Sequence, residues 1–295
     1  MANKDSDLHR PRGSLAVGRW SVHLDPETAG WTWTSLRVLT LAPGESQRLE
    51  TGPQEMLVLP LAGSCAVTCG GERIELTGRA SVFDGLSDFA YLPRGRTAEV
   101  ASETGGRFAL PGALADRDLP LRYGPAGAIA VELRGTGSCS RQINNFCTQD
   151  AFEADRLLAS ETITPAGNWS SYPPHKHDED RPGESALEEI YYFEIAASAG
   201  RAGLGYQRVY GTAERPVDVL AEVRTGDVVL IPHGWHGPSM AAPGYDMYYL
   251  NVMAGPGERC WLTCDDPDHA WIRQTWDGRP VDPRLPFYGH GGMLH

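Results

Sequence analysis

Val228-Val-Leu-Ile-Pro-His-Gly-Trp-His236 is an apolar run that ends in Pro-x-Gly and then a histidine. Aliphatic, partly β-branched residues closed by proline and glycine read as a short strand entering a turn. A near copy, Phe89-Ala-Tyr-Leu-Pro-Arg-Gly95, stands 139 residues earlier. Each copy follows a hairpin-rich stretch, Val67-Thr-Cys-Gly-Gly-Glu-Arg-Ile74 in the first and Gly203-Leu-Gly-Tyr-Gln-Arg-Val209 in the second. Other short β-rich runs, such as Leu57–Ala62, Ala128–Leu133 and Tyr248–Met253, are separated by glycines and prolines. Many short strands between turn signals indicate an all-β sandwich or barrel. An internal repeat at close to half the 295-residue length indicates two copies in tandem. The units fall at residues 1–125 and 126–295, joined within Leu121-Arg-Tyr-Gly-Pro-Ala-Gly127. Helical periodicity is scarce. Asp150-Ala-Phe-Glu-Ala-Asp-Arg-Leu-Leu-Ala159 and part of the tail after residue 265 are the best helix candidates.

The two copies differ in their imidazoles. Aligning Pro93-Arg-Gly95 on Pro232-His-Gly234 sets Thr97 opposite His236, and the first copy holds only His9 and His23. It is expected to be a structural or interface domain, with no metal ligands. The second copy carries Gly167-Asn-Trp-Ser-Ser-Tyr-Pro-Pro-His-Lys-His-Asp178, followed by Glu188-Glu189 against the strand-like Ile190-Tyr-Tyr-Phe193. Alternate residues of a strand share a face, so His175 and His177 would aim into one pocket. A carboxylate from a neighbouring strand and a third imidazole, His233 or His236, would complete a site for one divalent metal. Imidazole plus carboxylate suits zinc, manganese or iron, and donor type alone does not choose among them.

Composition excludes several function classes. The net charge is −12 with only two lysines, Lys4 and Lys176, and no basic stripe, so nucleic acid is not an expected partner. No apolar run reaches 18 residues and Met1–Arg10 is polar, which predicts no membrane span, no signal peptide and a cytoplasmic location. Six cysteines do not make a disulfide scaffold. The spacing of Cys65 with Cys69, and of Cys260 with Cys264, suits packing on one strand face. The aromatic tail, with Trp261, Trp271, Trp276 and Pro286-Phe-Tyr288, reads as a strap over the domain or over a second subunit of a homo-oligomer.

The histidine pattern resembles the cupin superfamily, in which His-x-His is followed by Glu, and a later Gly, Pro-x-Gly and His form a second motif. Gly226, Pro232, Gly234 and His236 match the second motif, with one residue rather than two before the histidine. Eleven residues, Asp178 to Glu188, separate His177 from Glu189 where the pattern has only a few, so Asp178–Ser185 is read as an inserted polar loop. The resemblance implies a bicupin with His175, His177, Glu189 and His236 as ligands. It sets Glu189 ahead of Glu188 and Glu184, and His236 ahead of His233. Longer stretches, including Gly167–Asp178, Leu187–Phe193, Tyr206–Tyr210, Gly244–Pro256 and Asp265–His269, resemble the 5-deoxy-glucuronate isomerase family of inositol catabolism. The 4-deoxy-L-threo-5-hexosulose-uronate ketol-isomerase family is related.

That resemblance implies an aldose–ketose isomerase converting 5-deoxy-D-glucuronate to 2-deoxy-5-keto-D-gluconate through a metal-stabilised enediolate, with zinc as the first choice of metal. Such chemistry needs proton transfer and a partner for the substrate carboxylate. Tyr191, Gln207, Tyr249 and Asn251 are the polar candidates, and Arg141, Arg208 and Lys176 the cationic ones, although Lys176 alternates away from its flanking histidines. Two other functions compete: a metal-dependent cupin dioxygenase, marked by oxygen consumption, and a non-catalytic sugar-binding cupin, marked by indifference to metal.

Overall fold

The computed structural model describes residues 7–288. Strands dominate, and among the described residues helix is limited to segments of one or two turns such as Pro26–Ala29 and Ala270–Thr275. In the first half, the strands from Trp20–Leu24 to Arg122–Gly124 form one sheet folded back on itself. The fold-back lies in the long strand Gln54–Cys69. Its beginning pairs with Phe89–Leu92 and Gly106–Leu114, and its end with Glu72–Arg79 and Thr97–Ser102. Gly63 and Gly78 permit the bend. A Cβ on Gly78 would stand 1.9 Å from the Gly63 carbonyl oxygen, and both residues have positive φ. The interior of this half is closed by Leu39, Met56, Val67, Val100 and Phe108, with Cys65 and Cys69 beside them.

The second half is a sandwich of a seven-stranded and a six-stranded sheet. Its central strand, Glu188–Ile195, lies between Val228–Ile231 and Met247–Ala254. Alternation sends Tyr191, Phe193 and Ile195 into the sandwich, against Val209, Val219 and Val223 of the six-stranded sheet. Ile190 and Tyr192 point the other way, into a core shared with Leu36, Leu57, Phe89 and Tyr91 of the first half. A sheet covered on both faces has no solvent side, which explains why Ile190-Tyr-Tyr-Phe193 and Tyr248–Met253 are apolar throughout instead of alternating.

Reciprocal carboxylates lock the halves together. Glu55 accepts the backbone N–H groups of Asp155, Arg156 and Leu157 at 2.8, 2.7 and 2.7 Å, and Glu188 accepts those of Thr32, Trp33 and Thr34 at 2.9, 2.8 and 3.2 Å. The two occupy equivalent places: Met56 pairs with Leu92 just before Pro93, and Glu189 pairs with Ile231 just before Pro232. In the first copy, therefore, an apolar Met56 stands where the second has Glu189. A buried ion pair, Arg79 with Glu161, also crosses the boundary. The passage between sheets falls between Gly124 and Ala130, whereas His9–Arg10 returns to pair with Val228–Val229 of the second half.

Three local expectations change. Asp150–Ala159 is not a helix; it is a chain of turns leading into the strand Leu158–Thr164. Three of its N–H groups are taken by Glu55, so they cannot close helical turns, while Phe152, Ala154 and Leu157 pack into the shared core. Asp178–Ser185 is no irregular loop but part of a hairpin, Asp178–Arg181 paired with Glu184–Ala186, turning at Pro182-Gly183. Among the described residues, the tail after residue 265 supplies only the 3-10 helix Ala270–Thr275. No helix among the described residues is long and apolar enough to cross a membrane.

Candidate metal centre

Three strands bring the site together. Glu189 opens the central strand, His236 lies on Trp235–Ala241 just beyond Pro-His-Gly, and His175 pairs directly with His236 across neighbouring strands. His177 follows the short strand His175–Lys176, and its carbonyl accepts the Leu187 N–H at 2.9 Å, which fixes it above Glu189. The Glu189 Oε2 lies 3.1 Å from the Nε2 of His177 and 3.1 Å from the Nε2 of His236. All three side chains are buried, and their ligand atoms lie within 4.8 Å of one another. His175 stands beside this trio rather than in it, its ring 4.4 Å from that of His236 and 6.3 Å from that of His177.

The donor set fits a cation. The Nδ1 of His236, 3.3 Å from the Gly234 carbonyl, is the nitrogen placed to carry the proton, which leaves an Nε2 lone pair. Among the described residues, that Nε2 and the Glu189 Oε1 are buried without a hydrogen-bond partner. Unpartnered buried acceptors are costly unless something positive lies between them. Burial pushes the His175 imidazole well below its usual value, with the His236 and His177 rings adding to the effect, so it is neutral and able to donate a lone pair. Burial alone would lower His177 and raise Glu189, but contact overrides it: Glu189 raises His177, and His177 and His236 together lower Glu189.

Below the trio lies a buried hydroxyl network. The Ser171 Oγ is 3.1 Å from both the Tyr191 and the Tyr249 hydroxyls, and Tyr249 donates to the Ser170 Oγ at 3.0 Å. The two rings stack at 4.7 Å, and Tyr191 lies 6.1 Å from the His236 ring. Burial, with the Glu189 charge, drives the Tyr191 phenol well above its usual value, so it stays protonated. Ser171 is held from behind by Gly237, where a Cβ would stand 1.8 Å from the Ser171 carbonyl oxygen.

The other sequence candidates are placed as follows. Gln207 is buried and accepts from the Ser239 hydroxyl, and Asn251 donates to the Ser160 carbonyl at 3.1 Å and the Thr162 hydroxyl at 3.2 Å. Arg208 turns outward to Asp218. Lys176 is tied to Asp178 at 2.7 Å and Glu184 at 2.6 Å, bracing the hairpin rather than reaching the trio. Glu184 is spent there, and Glu188 on the first half. His233 remains outside the cluster. Arg141 is buried close by, its Nη1 donating to the carbonyls of Cys139 and Tyr172 at 3.1 Å each.

Sequence reasoning missed Arg134 and Arg273, which share a cavity with Arg141 and His175. A signal existed for Arg134: it and Arg141 flank the turn-rich Gly135-Thr-Gly-Ser-Cys-Ser140, and a hairpin reading sets them opposite each other, as they are. Arg273 carried no local signal.

A family model described as the KduI/IolB family matches residues 8–272. The 5-deoxy-glucuronate isomerase of Geobacillus kaustophilus (strain HTA426) is 42% identical over 257 residues, covering 86% of this chain and 91% of that protein. The protein of the same name from Bacillus subtilis (strain 168) is 39% identical over 244 residues, 82% of this chain and 88% of its own. Among solved structures, an IolB-like protein from Salmonella typhimurium LT2 superposes with a TM-score of 0.83 at 35% identity, covering 90% of this chain and 99% of that one. An oxalate decarboxylase from Lactobacillus farciminis reaches a TM-score of 0.61 at 13% identity over 95% and 97%, a likeness of fold alone.

Proposed function

The chain belongs to the KduI/IolB family, and from that premise we propose that it is an aldose–ketose isomerase converting 5-deoxy-D-glucuronate to 2-deoxy-5-keto-D-gluconate in the cytoplasmic breakdown of inositol. The observation that carries the reading is the buried trio of His177, Glu189 and His236 with its unpartnered acceptor atoms. In this reading the trio, with His175 as fourth ligand, holds one divalent cation, zinc being the first choice. When bound, such a cation supplies Lewis acidity to a carbonyl and its adjacent hydroxyl, making the carbon-bound proton between them easier to remove.

The protein's residues do the rest. Tyr191, kept protonated by burial, has a proton to donate and cannot serve as a base near neutral pH. Ser171 orients it and links it to Tyr249, so a proton has a hydroxyl path toward Ser170. Tyr191, Phe193 and Tyr249 close the floor of the pocket against water. No electron leaves the substrate, so activity should be indifferent to oxygen.

The test is metal analysis with an anaerobic assay on 5-deoxy-glucuronate, comparing the wild type with the paired substitution His175→Ala/His177→Ala. About one equivalent of metal and oxygen-independent isomerisation, both lost in the variant, are expected. Turnover that requires oxygen, or that survives complete removal of metal, would overturn the reading.

A further inference from the structure

Beside the trio is a cavity of about 100 Å³ lined by Arg134, Arg141, His175, Trp261, Thr263 and Arg273. Among the described residues its charged lining groups are all cations. His175 belongs to both the cavity and the histidine cluster, so the two spaces are contiguous.

The arrangement is costly for an empty pocket. Arg141 is 3% exposed, and among the described residues no carboxylate pairs with it. A buried cation without a counter-ion is among the more expensive features a fold can carry. Arg134 makes it worse, because it lies directly opposite Arg141 in the strand register, and like charges in that relation repel. Burial lowers Arg141 to about 10, with the charges of Arg134 and Arg273 contributing, which still leaves it cationic at neutral pH. Arg134 and Arg273 have partners of their own, Glu132 and Asp265. Neither carboxylate is hydrogen-bonded to Arg141, although Glu132 lies near enough to feel its charge. The Trp276 ring lies 5.6 Å from the Arg141 guanidinium and 5.3 Å from that of Arg273, so the tail's 3-10 turn holds the two cations side by side.

We propose that Arg134, Arg141 and Arg273 form the carboxylate clamp of the substrate pocket, binding the acid end of the sugar acid while its carbonyl end lies at the histidine cluster. The inference rests on the isomerase reading for the identity of the acid. Guanidinium groups supply paired N–H donors matched to a carboxylate, and three of them around so small a space favour a carboxylate over a hydroxyl. The C-terminal tail thereby becomes part of the specificity site through Arg273 and Trp276, beyond its packing role.

The test compares two ligands that differ only at the far carbon, D-glucuronate and D-glucose, titrated by calorimetry into the metal-loaded protein. The wild type should bind glucuronate at least tenfold more tightly. Arg141→Gln and Arg273→Gln should each weaken glucuronate roughly 10- to 100-fold and leave glucose and metal content unchanged. Arg134 and Arg273 are about a third exposed, so Arg134→Gln and Arg273→Gln carry the test if Arg141→Gln does not fold. Equal binding of the two sugars by the wild type, or a preference that survives in Arg134→Gln/Arg273→Gln, would overturn the clamp. A wild type that prefers glucuronate through these arginines but does not isomerise 5-deoxy-glucuronate would remove the isomerase reading and leave the clamp standing.

Discussion

Glu189→Gln separates metal binding from folding. In the metal-free protein the carboxylate is 1% exposed and its Oε1 has no partner. Glutamine has the same shape. Its carbonyl oxygen, in the place of Oε2, keeps the contact with the His177 Nε2 at 3.1 Å, and its amide nitrogen takes the place of the unpartnered Oε1. The buried charge disappears while the side-chain shape and the His177 contact are kept, so the metal-free variant should be at least as stable as the metal-free wild type. The metal-loaded state behaves oppositely, because the trio loses its one anionic donor. At free metal a thousandfold above Kd, binding stabilises the wild type by about 4 kcal/mol. For a chain of this size that is a rise in Tm of roughly 8 °C. Thermal unfolding with saturating metal and with chelator, for both proteins, measures the increment. It should collapse to under about 2 °C in Glu189→Gln, with metal stoichiometry and isomerase activity falling together. A variant that keeps one equivalent of metal and the full increment would refute the assignment of Glu189.

Arg79→Met breaks the buried ion pair between the halves and should cost about 3–5 kcal/mol, read from urea unfolding of metal-free protein. Adding Glu161→Gln should recover a large part of the loss, since no uncompensated charge then remains; strictly additive costs would count against the pair. Gly237→Ala puts a methyl group 1.8 Å from the Ser171 carbonyl at a φ of +103°, so it should cost more than about 1 kcal/mol and also lower turnover by displacing the hydroxyl that holds Tyr191. Burial works against ionisation of Asp178, but hydrogen bonds from Lys176 and the Gly234 N–H prevail and hold its carboxyl at about 2, below the usual 3.8. A lowered carboxyl contributes stability above about pH 4 that is lost as pH falls toward 2. Asp178→Asn should therefore flatten the acid limb of the stability profile of chelator-treated protein, and an unchanged limb would remove Asp178 as its source.

The sequence carried the fold through local rules. Alternation put Glu189 and Tyr191 on the inner face and Glu188 on the other, and the strands obey it because successive Cβ atoms must point to opposite sides. The repeat of Pro-x-Gly after an apolar run exposed the tandem plan, and Thr97 opposite His236 marked the copy without the histidine cluster. The same rules erred where a distant group intervened. Asp150–Ala159 has a helical pattern of apolar residues, but Glu55, about a hundred residues away in the chain, takes the N–H groups a helix would use.

Sequence by itself determined what needs only neighbours along the chain: the strands, the turns, the two-copy plan, and the histidines and glutamate that face inward together. Tertiary structure decided which cations face the histidine cluster. Arg208 stood equal with Arg141 in the sequence and Lys176 behind them, because it alternates away from its flanking histidines; Arg208 turns out to Asp218, and Lys176 is absorbed by Asp178 and Glu184. Arg134 and Arg273 arrive instead, from the preceding hairpin strand and from the tail. The reason is physical: a strand fixes the side on which a residue lies, but the charge it meets there comes from strands and loops far away in the chain, brought near only when the sheets close over their shared core.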